Sequence, residues 1–240
     1  MKLIDNHVEK LGDDLKREIK ENSKIRICAS IFSMYGYEAL KKELSKIHEF
    51  KFIFSDPTFV EKNKNTKEQR FFEINSKIRE KSLSGSDFEV KLKNELNGKS
   101  IASECADWIK RKAKFKTNIN RNAIQKFMTI EDSISRVGYT NVEEFSTVGF
   151  GYEKDNSIFM PVTKMDEEYD ITKSYIESFE QIWNDEKQLK DITNEVIDFM
   201  SDLYKENSPE FVYYVTLYNI FTEFLEDISE DELVNEKNWI

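Results

Sequence analysis

Seven glycines and three prolines in 240 residues leave few positions for tight turns or chain breaks. That composition suits long helices. Cysteine is as scarce. Cys28 and Cys105 each sit in an apolar run, and both read as buried free thiols of a protein in the reducing cytoplasm. There are only two histidines, His7 and His48. With no Cys-x-x-Cys or His-x-x-x-His pair, a metal site is not expected, and both histidines read as exposed or capping residues. No apolar run approaches the ~18 residues needed to span a bilayer. The opening MKLIDNHVEK has neither an apolar core nor a cleavage site, so it does not read as a secretory signal. Gly98-Lys99-Ser100 matches the end of a phosphate-binding loop, but the glycine required five residues earlier is Lys93. No nucleotide, and no other cofactor, is therefore expected.

A chain of this length can bury a core without staples, as one good-sized domain or one domain plus an appendage. The net charge of −10 is unevenly spread. Residues 1–150 carry 29 Lys+Arg against 23 Asp+Glu, net +6, and residues 151–240 carry 7 against 23, net −16. The first part suits a polyanion and the second does not.

The pattern along the chain is α/β. A helix is expected over 7–21, a buried strand over 25–32, a helix over 37–47 and a second strand over 50–54, ended by Asp56-Pro57. Strand, helix and strand within about 30 residues form a βαβ unit. A polar helix is expected from Phe59 to Ile78. Another starts at Ser86 and runs through Val90 to Ile109, with Gly98 interrupting it. Strands are expected at 114–117, 123–130 and 136–140. Helices are then expected over 171–189, 192–204 and 208–225, before an acidic, irregular end. The fold class is thus a mixed sheet flanked by helices for about residues 1–165, a helical appendage over 166–228 and an acidic linker over 229–240.

Two features suggest surfaces. Lys110, Arg111, Lys112, Lys114 and Lys116 put five basic charges into seven residues, with Arg121 beyond them. Lys62, Lys64, Lys67 and Arg70 form a second group. Each reads either as a solvated face or as a stripe that tracks phosphates. Phe115 within the first run is either a base-stacking residue or one side of a half-buried strand. Phe211, Tyr213, Tyr214, Tyr218, Phe221 and Phe224 form an aromatic stripe. That stripe packs either on the α/β domain or on a partner.

One spacing is more specific. Ile124-Gln125-Lys126, four residues, Glu131, six residues and Gly138-Tyr139-Thr140-Asn141 resemble the phospholipase D signature, His-x-Lys-x4-Asp-x6-Gly-Ser-x-Asn. The Lys, Gly and Asn match. Ile124, Glu131 and Tyr139 stand where the signature has His, Asp and Ser. Leu11-Gly12-Asp13-Asp14-Leu15, Ala29 to Gly36, Cys105 to Ile109 and Ser208 to Tyr214 extend the resemblance. They are similar to bacterial proteins in which a phospholipase-D-like domain precedes a Swi/Snf-type, superfamily-two helicase motor.

The resemblance implies a site assembled from two signature copies, here by a homodimer. In it one His forms a phosphohistidine and the other protonates the leaving oxygen, while Lys and Asn hold the phosphate. Ile124 supplies neither a nucleophile nor a proton. The expectation is a degenerate module with no catalytic residue among Ile124, Lys126 and Glu131. Lys126, Asn141 and the run Lys110–Lys116 would bind phosphate or nucleic acid, DNA in preference to RNA. The parent would be an ATP-dependent helicase, with the motor C-terminal to this module, in DNA processing such as restriction or phage defence. The alternatives are a dimerisation or docking module without nucleic acid, and an active metal-independent nuclease. Lys126 itself reads either as a phosphate ligand or as a solvated strand residue, and Gly138 and Asn141 also read as turn formers.

Overall fold

The computed structural model describes residues 1–55, 95–119, 123–153, 161–165 and 171–204. The expected helices at Phe59–Ile78 and Ser86, the Lys62–Arg70 group, Arg121, the aromatic stripe and the acidic end lie outside the described residues. The chain divides into two compact units, Met1–Tyr204 and Lys205–Ile240.

The first unit is built from β1 (Lys2–Ile4), α1 (Leu11–Glu18), β2 (Lys24–Ala29), β3 (Ile31–Phe32), α2 (Met34–Leu44), β4 (Glu49–Phe54), α3 (Glu95–Lys112) and β5 (Ala113–Asn118). It continues with β6 (Phe127–Glu131), β7 (Arg136–Thr140), β8 (Glu144–Phe145), β9 (Val162–Met165), α4 (Ile171–Trp183), β10 (Leu189–Asp191) and α5 (Thr193–Tyr204). Eight strands form one mixed sheet in the order β1-β9-β7-β6-β2-β4-β5-β10, and β3 pairs with β8 in a small second sheet. β2, β4 and β5 run parallel, with Ile27 opposite Phe52 and Phe52 opposite Phe115. The remaining pairs of the large sheet are antiparallel.

Side-chain alternation along the strands sorts the sheet into two apolar faces. Ile25, Ile27, Phe50, Phe52, Phe54, Phe115, Ile130 and Tyr139 enter the larger cluster. Leu11 and Leu15 of α1, Leu40 and Leu44 of α2, Trp108 of α3 and Val196 of α5 close over them. Aromatic rings dominate this core. Phe32 meets Phe115 edge-on at 4.8 Å and stacks on Phe145 at 5.5 Å. Each such fully buried ring contributes roughly 1.5–3 kcal/mol from removal from water alone.

On the other face Cys28, Ile53 and Phe127 meet Phe179 and Trp183 of α4. The buried positions of α4 are Thr172, Ile176, Phe179 and Trp183, one stripe at three- and four-residue steps. α2 starts where the Ser33 side chain accepts the Tyr35 N–H at 3.1 Å.

Several expectations meet different outcomes. α3 runs through Gly98 without a break, because the cost of one helical glycine, about 1 kcal/mol, is small beside the burial of Ala102, Cys105, Ala106, Trp108 and Ile109. The helix expected to reach Leu189 stops at Trp183, and Leu189–Asp191 instead pairs with β5 as an edge strand. The helical appendage expected from residue 166 begins inside the first unit, where α4, β10 and α5 complete the sheet and its cover.

Candidate functional site

β6 and β7 are adjacent and antiparallel, with Thr129 opposite Gly138. This hairpin carries the whole spacing, so register decides which of its residues meet. Residues near its open end meet one another. Lys126 directly precedes β6, Asn141 comes directly after β7, and the Asn141 N–H donates to the Lys126 carbonyl at 3.1 Å. Asn141 has φ +64°, the left-handed region that asparagine tolerates better than most residues. Its side chain is exposed and makes no hydrogen bond among the described residues.

The other signature positions go elsewhere. Ile124 is half-buried and packs against the α4-side cluster. Glu131, at the far end of β6, binds Arg26 at 3.0 Å and Arg136 at 3.1 Å. Gly138 lies under α4. A Cβ there would meet Met165 Cε at 2.6 Å and Thr172 Oγ1 at 3.0 Å, so glycine is present for close approach and not for a turn.

Tyr139 points into the core and is fully buried. Its hydroxyl donates to Asp14 Oδ2 at 2.8 Å. Lys164 Nζ donates to the same carboxylate and to Glu18. Burial pushes the Asp14 carboxyl up, but hydrogen bonds from Lys164, Arg17 and Tyr139 hold it below its ordinary value. Burial against Asp14 pushes the Tyr139 phenol far up, so it remains a donor. The tyrosine in the signature's serine position therefore pins α1 to the sheet.

Lys126 stands where the parallel strands finish. Its ammonium pairs with the Glu143 carboxylate, and the two side chains are 28% and 40% exposed. The Ser30 N–H, just past β2, donates to the Glu143 carbonyl at 2.9 Å. The Ser30 hydroxyl lies 3.2 Å from that of Ser55, just past β4, and Asn118 at the end of β5 donates to the Ser55 carbonyl at 3.2 Å. The carboxyl ends of neighbouring parallel strands are where open α/β sheets bind ligands. A cation, two hydroxyls and an amide form one continuous polar rim there. No sequence motif singles out Ser30, Ser55, Asn118 or Glu143. Their signal is a position at strand ends, weak without the sheet order.

This rim combines the Lys126 ammonium, paired with Glu143, with a buried Asn118. It contains no imidazole. His48 is exposed beside the start of β4, at the opposite end of the sheet, and His7 is exposed in the loop before α1. Among the described residues no three His, Cys, Asp or Glu side chains cluster to hold a metal ion. No described helix is long and apolar enough to cross a membrane.

The basic run does not lead to Lys126. Lys110 pairs with Asp107 at 3.2 Å and Arg111 Nε donates to the Asp107 carbonyl at 3.0 Å. Lys112 Nζ donates to the Ile47 carbonyl at 2.6 Å. All three end α3, at the amino-terminal end of β5. Phe115 is core, fully buried, which removes it from base stacking. Lys116 lies on the α4 face, donating to the Trp183 carbonyl at 2.8 Å with its ammonium over that ring at 5.0 Å. Lys114 is exposed.

No protein-family model matches the chain, and no curated protein matches it significantly.

Proposed function

We propose that the chain is a phospholipase-D-like module with a degenerate site, one that binds the phosphate of nucleic acid, DNA in preference to RNA, without cutting it. One observation carries the reading. The hydrogen bond from Asn141 to Lys126 brings the two phosphate-holding positions of the signature to one end of the sheet, beside Ser30 and Ser55. The signature's histidine position is filled by Ile124, packed on an apolar cluster, so a bound phosphodiester meets a cation and no nucleophile.

Lys126 is engaged by Glu143, but a pair this exposed is worth about 0–1 kcal/mol. A phosphate, offering charge-assisted hydrogen bonds of its own, can displace that carboxylate. The resemblance supplies the rest of the proposal. It places the module in a cytoplasmic DNA-processing polypeptide of the helicase or restriction type, with a helical C-terminal part leading to an ATP-dependent motor and a homodimer as its working state.

The same Lys126–Glu143 pair favours a second reading, a dimerisation or docking module in which the old site keeps only a structural ion pair. Fluorescence anisotropy of a labelled oligonucleotide with wild type and Lys126→Ala, chelator present, separates the two. The phosphate-site reading expects salt-sensitive binding that Lys126→Ala weakens. Equal affinity of both proteins would refute it.

A further inference from the structure

The loops that open the three parallel strands form one connected surface, at the end of the sheet away from Lys126. The Asn22 N–H donates to the Lys46 carbonyl at 3.0 Å, and the His48 N–H donates to the Ser23 carbonyl at 2.8 Å. These bonds join the loop before β2 to the loop before β4. The Lys112 ammonium on the Ile47 carbonyl joins the end of α3, and so the start of β5, to the same loop. The Lys20 N–H donates to Ser23 Oγ at 3.0 Å, fixing the first loop on itself.

Lys20, Lys24, Lys42, Lys46 and Lys114 all ride on or beside this surface, all are exposed, and none makes an ion pair among the described residues. Lys110 and Arg111 extend it. The carboxylates nearby offset these charges in part. Asp107 is occupied by Lys110. Asp132 accepts the Ile134 and Ser135 N–H groups at 2.7 Å each and keeps its charge, which acts on Lys20. Glu49, 3.5 Å from Lys51, and Glu131, bound by Arg26 and Arg136, stand opposite Lys24 on the neighbouring strands. Glu21 and Glu43 remain.

The chain as a whole carries −10, so this concentration of exposed lysines at one edge of the sheet stands out from its surroundings. Part of the cationic bias at the ends of α2 and α3 complements the helix dipoles. The same effect reaches Lys20 and Lys46, which follow the C-caps of α1 and α2, and leaves Lys24 and Lys114. Adjacent strands are about 4.8 Å apart, so lysines on three successive strand openings form a line suited to successive phosphates of a nucleic-acid backbone. Ile134 is the sole strongly exposed large apolar side chain at this end among the described residues, which disfavours a membrane surface.

We propose that this edge, centred on Lys20, Lys24, Lys46 and Lys114, is the surface on which the module holds the backbone of duplex DNA. The proposal rests on the nucleic-acid reading above, but it moves the main contact to the opposite end of the sheet from Lys126. The test is anisotropy of a fluorescent duplex with the full chain at about 50 and 200 mM salt, comparing wild type, the quadruple variant K20Q/K24Q/K46Q/K114Q and Lys126→Ala. All four lysines are exposed, and a thermal melt monitors the fold.

Removing one phosphate contact reduces the slope of log affinity against log salt by roughly 0.9. The quadruple variant is therefore expected to lose a slope of about 3.6 and at least about ten-fold in affinity, while Lys126→Ala, which removes one contact, loses a slope of about 0.9. If Lys126→Ala loses affinity and the quadruple variant does not, this proposal fails and the phosphate-site reading stands. If wild type does not bind DNA, both fail. Binding to vesicles of one part phosphatidylserine and three parts phosphatidylcholine, without DNA binding, overturns the proposal in favour of a lipid surface.

Discussion

Replacing Tyr139 by phenylalanine isolates the contact that occupies the signature's serine position. The variant keeps the buried ring and removes one hydroxyl, which donates to Asp14 at 2.8 Å. A hydrogen bond to a charged group contributes about 1.5–3 kcal/mol. Asp14 keeps Lys164 and Arg17 as partners, so the cost belongs in the lower part of that range, about 2 kcal/mol. For a chain of this size that is a fall in Tm of roughly 4–8 °C.

The effect depends on pH. Asp14 is held below its ordinary pKa in the fold. Its contribution is therefore complete above the unfolded value, near ~4, and disappears as pH falls through the lower folded value. Tyr139→Phe removes one of the groups lowering that value, so the gap between wild type and variant narrows below about pH 4. Tyr139→Ser, which installs the serine of the resembled signature, additionally empties a fully buried aromatic site. Such truncations cost about 3–5 kcal/mol. It is expected to be the less stable of the two and to gain no phosphate affinity. Urea unfolding monitored by circular dichroism reads all of this. A Tyr139→Phe protein within about 0.5 kcal/mol of wild type at neutral pH would refute the reasoning, since surface changes fall in that range.

The same geometry sets three further outcomes. Gly138→Ala places a Cβ against Met165 Cε at 2.6 Å and Thr172 Oγ1 at 3.0 Å. The flexible methionine end can yield, so a destabilisation of about 1–2 kcal/mol is expected by urea unfolding. Arg26→Met removes a 6% exposed guanidinium that binds Glu131 at 3.0 Å and Glu180 at 2.7 Å. Glu180 retains Lys51 while Glu131 retains only exposed Arg136, so a destabilisation of about 2–3 kcal/mol is expected in the same assay. Glu143→Gln frees the Lys126 ammonium. Because the pair is worth at most about 1 kcal/mol, inorganic phosphate measured by calorimetric titration is expected to bind up to about five-fold more tightly.

The central strands are legible in the sequence because β2 and β4 are short apolar runs with abrupt ends, and α4 because its buried residues repeat at helical steps. β1, β3, β8, β9 and β10 are not. They are two to four residues long and exist through their neighbours rather than through their own pattern. Gly98 misleads for the opposite reason. A local breaker is outweighed by the apolar face beyond it.

At the candidate site, the resemblance to the signature singles out Lys126 and Asn141, and both belong to one hairpin. Glu143, Ser30, Ser55 and Asn118 come from four separate segments that only the sheet order unites. The destination of Tyr139 depends on Asp14, 125 positions away in sequence, and no local signal carries that. The basic run looks continuous in sequence. In the fold its first three members close α3 at one end of the sheet, and Lys116 turns under Trp183.

Binding without cutting is the central claim, and one incubation tests it. An end-labelled DNA strand, single or annealed to its complement, is mixed with the full chain in the presence of chelator and divided between a native and a denaturing gel. The account predicts a retarded band on the first and intact strand on the second, with retardation weaker at higher salt. Strand scission that disappears in Lys126→Ala would contradict it by showing a live site, and unretarded DNA at low salt would contradict it by showing no nucleic-acid surface at all.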